Sequence, residues 1–145
     1  MLYFEQVDVT GSRLIGAITE IGHVGPKHHA VIIGRHPANN NIYAAENCHD
    51  GYKLVTVDEF AQRYSSKAKI QIKPNDGKFT DYEVASRALS EIVTGGKGKY
   101  NLVTNNCESF SNRAMYNNSE SQQVINTVVG AVIIIGMFYY IKKAK

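Results

Sequence analysis

Tyr100-Asn101-Leu102-Val103-Thr104-Asn105-Asn106-Cys107-Glu108-Ser109-Phe110 sets a cysteine directly behind two asparagines and ahead of an apolar helical pattern. An asparagine side chain accepts hydrogen bonds from the free N–H groups that open a helix, so Asn105 or Asn106 serves as an N-cap. Cys107 then falls in the first turn, with Phe110, Ala114 and Met115 on the apolar face. Backbone N–H groups and the positive end of a helix dipole favour a thiolate over a thiol in such a position. The same N–H groups can hold an oxyanion. The competing reading of this cysteine is a packed structural thiol.

A nucleophilic thiol requires a base. Upstream, His28-His29-Ala30-Val31-Ile32-Ile33-Gly34 is a β-branched run of strand length. Strand alternation puts His28, Ala30 and Ile32 on one face and His29, Val31 and Ile33 on the other. Only one of the two histidines can therefore reach Cys107, and the residues alone do not choose between them. His36 lies in a polar loop beside Pro37, and His23 and His49 lie near turns. Cys48 beside His49 is an unpromising second pair, because neighbours in a strand or turn point apart.

Around these two stretches the chain reads as α+β. Residues 1–22 hold a strand or two with turns, residues 42–46 pair with the histidine strand as a hairpin, and residues 52–57 and 68–72 add further strands. Residues 58–64 read as a short helix with acids in its first turn. Residues 81–93 give the clearest helix, ended by Gly95-Gly96. Arg113 reads as a solvated helix residue. Tyr43 and Tyr100 read as core aromatics or as the walls of a lipid groove.

The composition narrows the class. The chain has 145 residues, of which 43% are apolar and 20% charged, enough for one folded domain. A formal charge of +3 without clustered basic faces excludes a nucleic-acid partner. Two cysteines, Cys48 and Cys107, are too few for a disulfide scaffold or a cysteine-rich zinc site. The first eight residues carry acids and lack the basic and apolar regions of a secretory leader. Residues 128–141 carry no charge; extended back to Val124, the run reaches roughly 27 Å as a helix, close to a ~30 Å hydrocarbon core. Phe138, Tyr139 and Tyr140 followed by Lys142, Lys143 and Lys145 suit a membrane–water interface. A buried core segment is the alternative, but the run has no polar face.

The cysteine stretch resembles the Asn-Cys-Glu-His-Phe box of the lecithin:retinol acyltransferase-like family, most closely its small membrane-anchored phospholipase A/acyltransferases. His28–Gly34 resembles that family's histidine strand, and the order of the two boxes matches a circularly permuted papain-like fold of NlpC type. The resemblance implies an antiparallel sheet of about four strands packed against helices, plus a C-terminal hydrophobic anchor helix. It implies residues 1–116 as the catalytic domain, 117–123 as a polar linker, 124–141 as the anchor and 142–145 as a basic tail. It implies Cys107 as nucleophile and His28 as base. The family's third polar residue, a second histidine, has no counterpart here; Glu46 best matches its position, with Asn47 close behind. Ser109 and His29 also depart from the family pattern.

In function, the resemblance implies a thiol-dependent phospholipase A or acyltransferase that cleaves a glycerophospholipid ester through a Cys107 thioester. The acyl group passes to water, an amine or a lysophospholipid, without metal or organic cofactor. The protein is then membrane-associated through residues 124–141, with a cytoplasmic catalytic domain. Two rivals carry the same boxes: a cysteine peptidase or amidase of the same superfamily, and a non-catalytic membrane-anchored interaction protein.

Overall fold

The β-branched run that carries the two histidines forms the centre of the sheet. In the computed structural model, which describes residues 2–144, strand β2 (Lys27–Arg35) is buried from His28 to Gly34. It is flanked by β1 (Arg13–Ala17) and β3 (Ile42–Cys48), with β4 (Gly51–Thr56) outside β3 and the short β5 (Gln71–Lys73) outside β1. All neighbouring strands are antiparallel. The β2–β3 hairpin sets Ala30 opposite Glu46, Val31 opposite Ala45 and Ile32 opposite Ala44, with an irregularity before Gly34.

Alternation gives β2 two apolar faces, and each is covered by helices. Ala30 and Ile32 join Leu14, Ala44 and Phe60, the last from α1 (Val57–Tyr64). Val31, Ile33 and Ala45 join Val84, Ala85 and Ala88 of α2 (Asp81–Thr94) and Phe110, Ala114 and Met115 of α3 (Cys107–Tyr116). Both α1 and α2 begin with a capping box, Thr56 with Glu59 and Thr80 with Glu83, which satisfies donors that a helix start leaves free. Gly95 ends α2 in the left-handed conformation, at φ 76°.

The sheet has five strands, where the family resemblance implies about four. The edge strand β5 is three exposed residues long and lies at the end of the stretch 68–72 that reads as a strand, displaced toward Lys73. The apolar C-terminal run is a single helix, α4 (Gln122–Ala144), of 23 residues. It starts at Gln122, inside the stretch read as linker, and is long and apolar enough to cross a membrane. From Val128 onward its large apolar side chains are exposed.

Phe110 anchors α3 to the sheet and is fully buried, edge-on to the Tyr52 ring at 5.8 Å. Phe110→Ala is expected to cost about 3–5 kcal/mol in denaturant unfolding, through lost burial and the cavity left behind. Val93→Ala, on the exposed side of α2, is expected to stay within about 0.5 kcal/mol of the parent.

Candidate active site

Cys107 opens α3, and the chain before it is fixed by side-chain bonds. Asn106 is the N-cap: its Oδ1 accepts from Ser109 N at 2.8 Å and from Ser109 Oγ at 3.1 Å. Its Nδ2 donates to Leu102 O at 2.8 Å. Asn105 plays a different part. Its Oδ1 accepts from Arg113 Nη2 at 2.8 Å, and its Nδ2 donates to Lys99 O at 3.1 Å. Arg113 is therefore not the solvated residue its place in the sequence predicts. It is 8% exposed, and its Nε donates to Glu91 Oε1 at 2.7 Å. Sequence spacing on α3 offered no sign of this, because both partners come from elsewhere in the chain.

His28 and His29 face opposite sides, and their environments separate them. His28 Nε2 lies 2.7 Å from Glu46 Oε2, and the ring stacks near Phe60 and Tyr64 at 5.7 Å and 5.3 Å. The second oxygen of Glu46 accepts from Arg63 Nη2 at 2.7 Å. Burial opposes a charged His28 ring, but polar contacts with Cys107, Cys48 and Glu46 outweigh it and push its pKa up to about 12. Burial also opposes a charged Glu46, yet His28 and Arg63 hold its carboxyl below the usual value. The pair is an imidazolium and a carboxylate. With Nε2 committed to Glu46, Nδ1 is the ring nitrogen left for the Cys107 thiol.

His29 is different. Burial and then the charge of Arg13 push its pKa down to about 3, so its ring is neutral. Asn47, one residue past Glu46, lies on the opposite face and donates to Asn105 O at 3.0 Å. The hairpin register thus sets Glu46, not Asn47, against His28, while Asn47 steadies the loop before Cys107.

Cys48 shares the face of Glu46, and its Sγ is 3.8 Å from His28 Nε2. Strand alternation two residues beyond Glu46 was the signal for this contact. Both cysteines are buried and free. The donor atoms of His28, Glu46 and Cys48 lie within 4.8 Å of one another, the one cluster among the described residues with metal-ligand chemistry. The protonated ring and the Arg63 guanidinium both oppose a cation there.

Cys107 and His28 line one cavity of about 330 Å³. Its walls are largely apolar, from Ile18, Leu102, Val103 and, on α4, Val124 and Val128. Tyr100 also lines it, whereas Tyr43 packs with Phe4 and His36. The Cys107 Sγ is 3.8 Å from Lys27 O, and the N–H groups of Cys107 and Glu108 precede the first intrahelical bond of α3. A thiol, a histidine held by a carboxylate and free helix-start N–H groups can together support nucleophilic acyl chemistry.

The family model described as lecithin retinol acyltransferase matches residues 13–120. No curated protein and no solved structure matches the chain.

His28 holds its proton more tightly when folded than at the ordinary value of 6.5, so its contribution to stability is complete below that value and declines as pH rises toward about 12. Glu46 is shifted downward, so its contribution is present above the usual carboxylate pKa and is lost in acid. The difference in unfolding free energy between the parent and His28→Gln is expected to be flat near pH 6 and to shrink steadily in alkali. Urea unfolding across pH measures it; a difference that widens in alkali would exclude the charged ring.

Proposed function

The chain belongs to the lecithin retinol acyltransferase family, a family of thiol acyltransferases on an NlpC-type papain-like fold, and on that footing we propose that it is a phospholipase A/acyltransferase acting on glycerophospholipid esters. The observation that carries this reading is the shared cavity. The thiol of Cys107 and the ring of His28 open on an apolar space whose far wall is the base of a membrane-length helix. An acyl chain is the ligand whose chemistry suits both an apolar wall and a bilayer beside it.

In this mechanism the Cys107 thiolate attacks the ester carbonyl carbon. The developing oxyanion takes hydrogen bonds from the N–H groups at the start of α3. The His28 imidazolium gives its proton to the departing alkoxide, and a lysophospholipid leaves while Cys107 holds the acyl group as a thioester. Water, an amine or a lysophospholipid then attacks the thioester, and neutral His28 takes up the proton of the incoming nucleophile. The product is a free fatty acid, an amide or a remade ester. Glu46 stabilises the imidazolium and fixes the ring, and Arg63 keeps that carboxylate ionised.

The same reading gives residues 1–116 the catalytic role and residues 124–141 the role of a membrane anchor, joined by residues 117–123 and followed by a basic tail at 142–145. An anchor confines enzyme and lipid to one surface and raises their effective concentration. It also holds the catalytic domain on the cytoplasmic side.

Mass spectrometry of the protein mixed with phosphatidylcholine vesicles is expected to find an acyl adduct on Cys107. Cys107→Ser is expected to abolish the thioester and turnover, and Cys48→Ser to retain both. Labelling of Cys48 with Cys107 clear would overturn the assignment. His28→Ala is expected to lose roughly 10²–10⁴-fold in rate.

Glu46→Gln is expected to slow turnover strongly without abolishing it, since the amide still accepts from the ring but cannot offset its charge. Glu46→Ala is expected to be slower still. Equal rates for the two would show that the charge of Glu46 does not act on the reaction.

A further inference from the structure

A second cavity, of about 390 Å³, lies beside the first and shares Lys27 and Gln123 with it. Those two residues form the partition. Lys27 N donates to Gln123 Oε1 at 2.8 Å, and Gln123 Nε2 donates to Lys27 O at 3.3 Å. The second cavity has a mixed lining where the first is largely apolar, and its charged lining is Arg13, Lys27, Lys73, Asp76 and Glu108, together with His29.

Its cations lack counterions. Arg13 is 8% exposed, yet none of the ion pairs among the described residues includes Arg13, Lys27 or Lys73. Buried charges are ordinarily paired, because removing an ion from water is costly. Arg13 instead contacts neutral groups: Nη1 donates to His29 Nδ1 at 3.2 Å, and Nη2 donates to Asn112 Oδ1 and Met115 Sδ. Desolvation accordingly lowers the Arg13 pKa, against weaker raising effects from Tyr116, Glu108, Asp76 and Cys107.

His29 adds an unused donor. Its Nδ1 accepts from Arg13, so the proton of the neutral ring sits on Nε2. That atom is buried and has no partner in the protein. The two acids of the cavity are otherwise engaged. Asp76 accepts from the Tyr116 hydroxyl, and Glu108 accepts from Ser121 Oγ at 2.6 Å and Gln123 N at 3.1 Å. The cavity therefore carries three cations against two occupied carboxylates, and one of its lining residues, His29, holds an unpartnered N–H donor.

We propose that this cavity is the phosphate subsite for the substrate, holding the phosphodiester of a glycerophospholipid headgroup with Arg13, Lys27, Lys73 and the His29 Nε2–H while the acyl ester lies across the Lys27–Gln123 partition at Cys107. The inference rests on the glycerophospholipid reading and deepens it. In such a lipid only the glycerol carbons separate a scissile ester from the phosphate, which matches two cavities that share one wall. An uncharged ester would leave the Arg13 guanidinium without a counterion.

The test uses the full chain in neutral detergent micelles and reads binding and selection separately. Phosphorus NMR of glycerophosphocholine is expected to show line broadening by the parent protein that Arg13→Gln and Lys73→Gln weaken. For turnover, the ratio of kcat/KM for a short-chain phosphatidylcholine to that for the matching diacylglycerol is expected to fall about tenfold in Arg13→Gln, mainly through KM, as for a lost charged hydrogen bond. Lys73 lies exposed on the sheet edge, so Lys73→Gln is expected to lower the ratio only about twofold to fivefold, and Lys73→Arg to restore it. Lys73 decides the matter if Arg13→Gln does not fold. An equal fall for both lipids, or no broadening by the parent, would overturn the subsite. Orthophosphate that displaces glycerophosphocholine at equal concentration would make it a free-phosphate site and overturn the headgroup assignment. Broadening without hydrolysis of either ester would leave the subsite standing and remove the enzymatic reading.

Discussion

A carboxylate with no exposure to solvent sits between a histidine and an arginine, and the arrangement of the site depends on it. Glu46 reaches His28 across the β2–β3 hairpin and Arg63 from α1, each at 2.7 Å. An unpaired carboxylate in that place would cost several kcal/mol, and removal of one partner from a buried ion pair typically costs about 3–5 kcal/mol. The hairpin register is bound by the same pair. A slip of one residue would turn Glu46 to the other face and bring Asn47 against His28, burying a ring with no carboxylate to stabilise its charge. The apolar neighbours push the same way, since Ala44 and Ala45 would exchange cores.

The second constraint joins the site to the membrane-length helix. Glu108, next to Cys107, accepts from Ser121 and from the backbone of Gln123, and Gln123 in turn brackets the backbone of Lys27, next to His28. The start of α4 is thereby bonded to the neighbours of both residues proposed to react. An anchor on a loose polar linker would position the domain near a bilayer and do no more. A helix bonded to both sides of the cleft, as α4 is, also fixes the apolar wall of the cavity. The Lys27 carbonyl, held by Gln123 on one side and 3.8 Å from the Cys107 sulfur on the other, is where the two meet.

How much of this was legible in the sequence depends on the range of each interaction. The strand at residues 28–34, the helix that starts at Cys107, the asparagine cap and the apolar tail are all written in local patterns, through alternation, capping chemistry and length. The pairing of His28 with a residue near Glu46 was readable too, as a hairpin seen through a family resemblance. Cys48 beside His28 was readable in principle, since it lies two residues past Glu46 on the same strand face. Arg113 was misread because its burial comes from Glu91 and Asn105, and nothing on its own helix marks them. The short edge strand was read at residues 68–72 and forms at Gln71–Lys73, because exposed residues at a sheet edge set no sharp bounds.

The sequence by itself determined the class of fold, the family, the candidate nucleophile and the two alternating faces of the histidine strand, since each depends on residues close together in the chain. The tertiary structure decided that His29 meets an arginine and that Arg63 and Cys48 join the pair of His28 and Glu46, because alternation separates two faces without saying what packs on either. It also decided that α4 closes the cavity at Cys107 and that Arg13 is buried without a counterion. Those contacts join residues some 80 to 100 positions apart, and at that separation only the packing of the sheet against its helices brings them within reach.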